Sequence, residues 1–141
     1  MHLFNFLKFL LYLIQSENKI VTHLEETNDQ IKKLEKVFEI LGYDKEKEKC
    51  EAIEGLLEEG DELIEESKEG AVRDAALIAA AQKVEHYEIA SYGTLCAMAN
   101  ELDQPEAAKI LHEILEQEKE TDEKLIKLSY TTNEKAEKRA A

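Results

Sequence analysis

Two glutamates three residues apart, Glu85 and Glu88, are the only acids between Ala75 and Asn100. On a helix that spacing projects both carboxylates from one side. They share that side with Ile78, Ala81, Gln82, Ile89, Tyr92, Leu95 and Ala99. Further on, a 3-4 series reads Ala107, Leu111, Ile114, Glu118, Thr121, Leu125 and Leu128, which puts Glu118 at a core position with Asp122 one turn beyond it. Earlier in the chain His23 and Glu26 are also three apart. An ionised carboxylate inside a helical core is costly unless it is paired or bound to a cation. Several of them converging from facing helices repel one another, and a pair of divalent ions removes that repulsion. Hard oxygen ligands suit iron or manganese. Di-metal centres of this kind are built in helical bundles from Glu on some helices and Glu-x-x-His pairs on others.

The candidate metal ligands are therefore Glu85, Glu88, Glu118, Asp122, His23 and Glu26. A structural reading competes with this one: the same acids could meet Lys83, Lys124 or Lys127 in buried ion pairs. His86 and His112 fall off the shared faces and read as structural. Tyr92, one turn beyond Glu88, either packs or hydrogen-bonds a ligand.

The elements that must position these side chains are helical. A strongly apolar stretch spans roughly 3–15, followed by a turn-like Gln15-Ser16-Glu17-Asn18. A second helix is expected from about Lys19 to Leu41, with Leu24, Ile31, Leu34, Phe38 and Leu41 as its apolar stripe and Gly42 as its stop. From Asp44 to Glu69 there are twelve acids against four lysines, with an apolar stripe of Ile53, Leu56, Leu57, Leu63 and Ile64. This reads as one or two amphipathic helices, broken or bent at Gly55 and Gly60, forming a solvated connector. The third long helix, about Ala71 to Leu102, is apolar nearly all round, the pattern of a buried helix. Asp103 as cap, Pro105 in the first turn and Glu106 at capping-box distance start a fourth helix that runs to about Tyr130. The polar tail 131–141 is expected to fray. No strand alternation or hairpin signal occurs. The fold class expected is all-α: a four-helix bundle with a long helical crossover between the second and third long helices, as one domain over 1–130.

The 141 residues carry 18 Lys plus Arg against 32 Asp plus Glu, a net charge of −14. That excludes a nucleic-acid-binding face, which needs clustered cations, and disfavours an anionic membrane surface. The apolar run Leu3–Ile14 falls short of the roughly 20 residues that span a bilayer, and Lys8 interrupts it. No basic segment precedes it and no small-residue cleavage site follows. Two cysteines, Cys50 and Cys96, without CxxC spacing, fit a reducing cytoplasm.

The run from Ala71 to Leu95, AVRDAALIAAAQKVEHYEIASYGTL, closely resembles the YciE/YciF family of ferritin-like proteins. So do His23-Leu-Glu-Glu-Thr27 with the following Gln30, and Glu118-Lys-Glu-Thr-Asp-Glu-Lys-Leu125. The similarity covers about residues 20 to 130. It implies a rubrerythrin-like four-helix bundle, a di-iron or related di-metal site, a homodimer and a link to stress conditions, without specifying a reaction. In such proteins a first long helix also gives a carboxylate to the site. Residues 1–19 here hold one acid, Glu17, and a helix of about 12 residues spans only about 18 Å. The first helix is thus expected to be truncated or replaced, and the site incomplete, weaker or restricted to one metal. Two functions follow as expectations. One is a ferritin-like di-metal protein acting on iron, dioxygen or peroxide; the other is a non-catalytic helical stress or interaction protein with a degenerate site. A small membrane-associated protein anchored by residues 3–14 is a third reading.

Overall fold

Glycine and proline punctuate the chain where its helices end. In the computed structural model, which describes the backbone of residues 17–46 and 48–140 and the side chains from Glu25 to Lys138 within those ranges, four helices follow one another. They are α1 (Glu17–Leu41), α2 (Glu51–Glu66), α3 (Ala71–Glu101) and α4 (Pro105–Ala140), and no strand occurs among the described residues. The expected apolar segment 3–15 lies outside the described residues, as does any first helix built from it.

α1 stops at Gly42, whose φ of 70° is the left-handed conformation that costs a residue with a Cβ. Its amide and that of Tyr43 close on the carbonyls of Glu39 and Phe38. α3 begins after Gly70, which sits at φ 146° and accepts the amide of Asp74 on its carbonyl. The α3–α4 corner departs from the capping expected of it. Asp103 adopts φ 58° and closes α3 rather than capping α4. The Gln104 carbonyl instead receives the Ala108 amide, so Gln104 caps α4 and Pro105 takes the first helical position.

α3 and α4 form a hairpin that packs along its length, with α1 laid on α4 and α2 on α3. Two apolar clusters result. One joins Leu57 of α2 to Leu77, Ile78, Ala81 and Val84 of α3 and Leu125 of α4. The other joins Val37 of α1 to Ala99 of α3 and Ala107, Ala108 and Leu111 of α4. α2 is the crossover between the second and third long helices of the sequence reading, and it is a single helix through Gly55 and Gly60. The expected break fails because the Ile53, Leu56, Leu57, Leu63, Ile64 stripe packs on the first cluster, which outweighs about 1 kcal/mol of propensity per glycine.

Three other expectations are corrected. α1 buries Val37, whereas Ile31 and Phe38 are 42% and 38% exposed, so its inward stripe is rotated from the one expected. α3 is not buried all round: Leu95, Met98 and Leu102 lie exposed on one side of its C-terminal end. α4 does not fray after Tyr130 but continues to Ala140, with Thr132 buried and Lys138 paired to Glu134 one turn back. No helix among the described residues is long and apolar enough to cross a membrane.

Candidate metal centre

The two apolar clusters leave a polar layer between them at mid-height, and the sequence fills it with acids. Glu85 and Glu88 come from α3, Glu118 from α4, and one carboxylate oxygen of each lies within 4.8 Å of the others. Glu85 is wholly buried and Glu118 is 3% exposed, while Glu88 is half-buried. Neither oxygen of Glu85 meets an N–H or hydroxyl donor among the described residues; its hydrogen-bonding neighbour is the Glu118 carboxyl, with which it can share a proton. Buried carboxyls are almost always held by N–H or hydroxyl donors, so one whose neighbour is a second carboxyl calls for an explanation.

The electrostatics follow from that placement. Burial, and then the adjoining Glu118 carboxylate, push the Glu85 carboxyl up to about 10, with Glu88 and Asp122 adding in the same direction. Burial and Glu118 push Glu88 up to about 8. Glu118 is also raised, by burial first. Tyr92, beside Glu88 and Glu118, has its hydroxyl pushed above its usual range by burial and by both carboxylates.

Among the described residues, the lysines of the structural reading do not fill the layer. Lys83 turns outward to Glu59 on α2, Lys127 pairs with Glu123 on its own helix, and Lys124 is exposed. The structure thereby removes Lys83 and Lys127 as partners in the structural reading.

The remaining candidates fall around this trio. Asp122 is buried but stands beside the trio rather than in it: its Oδ1 accepts from Gln82 Nε2 at 3.3 Å, and its Oδ2 lies 3.3 Å from His86 Nε2. Glu26 is half-buried on α1, and its charge is among those that raise Glu118. His23 belongs to α1, but its side chain lies outside the described residues. Thus Glu85, Glu88 and Glu118 are brought together, and Asp122 and Glu26 border them.

Residues 16–138 match the family described as a domain of unknown function, DUF892. The chain belongs to that family. It is 56% identical over 120 residues to protein YciF of Escherichia coli K12, which covers 84% of this chain and 72% of that protein. The crystal structure of the E. coli stress protein YciF superposes with a TM-score of 0.82 at 47% identity, covering 92% of this chain and 86% of that one. YcfI from Rhodopseudomonas palustris superposes with a TM-score of 0.75 at 41% identity, covering 85% and 80%. The bundle and its family membership agree with the sequence reading.

Two residues that touch this DUF892 chain's site are not among the ligand candidates the sequence offers. Gln30 of α1 donates from Nε2 to Glu118 Oε1 at 2.7 Å. Its spacing was a usable signal, since Gln30 is four residues beyond Glu26 and seven beyond His23, on one helix face. His86 was read as structural because it lies off the inward face. It is indeed exposed, yet it reaches Asp122 across the α3–α4 groove, a contact that spacing within one helix does not encode.

Proposed function

We propose that this DUF892 protein is a ferritin-like di-metal carboxylate protein, with Glu85, Glu88 and Glu118 holding iron or manganese. Asp122, His23 and Glu26 complete or border the site. The observation that carries the reading is Glu85: a fully buried carboxyl that meets no N–H or hydroxyl donor among the described residues and faces two further carboxylates, while Lys83 turns outward. The donor set fits hard divalent ions, since it is all oxygen and anionic when deprotonated. A bound iron pair would supply electron exchange with dioxygen or peroxide. The chain's own contribution is positional. α3 and α4 fix three carboxylates, and the apolar clusters on either side shield Glu85 and Glu118 from bulk water.

The E. coli relative is a stress protein, and a role under stress in the cytoplasm is the setting proposed here. The protein is proposed to work as a homodimer. Leu95, Met98 and Leu102, exposed on one side of α3, offer an apolar surface for the second copy.

Anaerobic Fe(II) loading, desalting and elemental analysis test the assignment. About two irons per chain support it, and the Glu85→Ala, Glu118→Ala double variant should retain none. A wild-type value near zero favours the second reading, a non-catalytic helical interaction protein whose carboxylates are held neutral by burial.

A further inference from the structure

The three clustered carboxylates differ in how the protein holds them. Glu85 meets no N–H or hydroxyl donor among the described residues, whereas Glu118 is tied at Oε1 by an amide from a different helix, 88 residues away in sequence. That donor, Gln30, is half-buried on α1, and α1 packs on α4, the helix that carries Glu118. The residue type matters. A lysine or arginine at this position would bring a positive charge to the trio and compete with any cation there. The glutamine amide supplies an N–H donor and no charge, so it orients the carboxylate while leaving the negative field intact.

We propose that Gln30 is a positioning residue for cation binding. By holding Oε1 it fixes the side-chain torsions of Glu118 and presents this carboxylate, already oriented, to Glu85 and Glu88. The role rests on the reading of the trio as a metal site. It makes α1, which contributes none of the three carboxylates, a part of that site's geometry. Hydrogen-bonded supports of metal ligands typically change affinity tenfold to a hundredfold when removed, although they never touch the ion.

The experiment uses the full chain and Co(II) as probe. Gln30→Met keeps the length and packing of the side chain but removes the donor. Gln30→Asn keeps the amide but shortens its reach by one methylene. Co(II) dissociation constants, the Co(II) absorption bands and thermal unfolding with and without Co(II) are measured for all three proteins.

The expected result is a Co(II) affinity at least about tenfold weaker in both variants, with shifted absorption bands. Their melting temperatures should fall more in the Co(II)-loaded state than in the metal-free state. A merely structural contact would destabilise both states equally and leave affinity and bands unchanged; that result overturns the role of Gln30 while leaving the site intact. Wild-type protein that binds no Co(II) overturns the metal-site reading itself, and this role with it.

Discussion

Glu85→Gln should make the metal-free protein markedly less sensitive to alkaline pH. The Glu85 carboxyl is pushed from 4.5 to about 10 in the fold, chiefly by burial, so the folded protein keeps a proton that the unfolded chain releases. Where the folded state binds more protons, stability falls as pH rises. The stabilisation of the protonated form is complete below 4.5 and is lost progressively toward 10. Each pH unit in that window costs about 1.4 kcal/mol, so a move from about pH 5 to about pH 8 costs on the order of 4 kcal/mol through this one group. For a chain of this length that is a drop of about 12 °C in Tm.

Glutamine is nearly isosteric and neutral at every pH, so the variant escapes this loss. It keeps the smaller one due to Glu88, which is raised to about 8. The assay is thermal unfolding followed by circular dichroism in the presence of a chelator, at several pH values across that range. The wild type should start level with or above the variant at low pH and fall well below it at high pH. Parallel curves would refute the reasoning, because they would mean that Glu85 is solvated or ionised in the fold.

Other perturbations test the supports of the site and the fold. Because Glu85 and Glu88 both hold protons at neutral pH, Mn(II) binding near pH 7 should release about two protons per chain, read with an indicator dye. Gly55→Ala, in open space within α2, should stabilise by about 0.5–1 kcal/mol in urea unfolding. Gly42→Ala, equally open but at φ 70°, should destabilise by about 1 kcal/mol through backbone strain alone. Arg73 is buried and donates to the carbonyls of Ile64 and Ser67, so that it ties the end of α2 to the start of α3. Arg73→Ala should cost about 2 kcal/mol or more in the same assay.

What could be read from the sequence was what depends on composition within one helix. α3 announces its acids because Glu85 and Glu88 interrupt an otherwise apolar run, and Glu118 sits in an unbroken 3-4 series on α4. The orientation of α1 was not legible. Ile31, Leu34, Phe38 and Leu41 make one acceptable stripe, and Leu34, Val37 and Leu41 make another about one residue's rotation away. Only packing on α4 chose Val37. Polarity misled at the C-terminus, since 131–140 contains neither glycine nor proline and carries its own Glu134–Lys138 pair, one turn apart. Contacts between helices, Gln30 with Glu118 and His86 with Asp122, lay beyond any single-helix periodicity.

The small residues of α3 and α4 explain why the acids meet at all. Ala80, Ala81, Ala99, Ala107 and Ala108 are all buried in the clusters above and below the polar layer. Side chains this short let the helices approach closely enough to bring three carboxylate oxygens within 4.8 Å of one another. At that separation, with an effective dielectric of about 20, each ionised pair repels by about 3.5 kcal/mol, and three pairs by about 10 kcal/mol. That equals much of the total stability of an ordinary domain, so the fold cannot hold all three charges bare. Either protons or cations must occupy the layer. Protons alone let Glu85 share a hydrogen with the Glu118 carboxyl but leave it without any N–H or hydroxyl donor among the described residues. A cation would offset the same repulsion and take the carboxylate oxygens as its ligands. Under the metal reading proposed above, the close approach set by these alanines is what would let one ion reach oxygens from both helices.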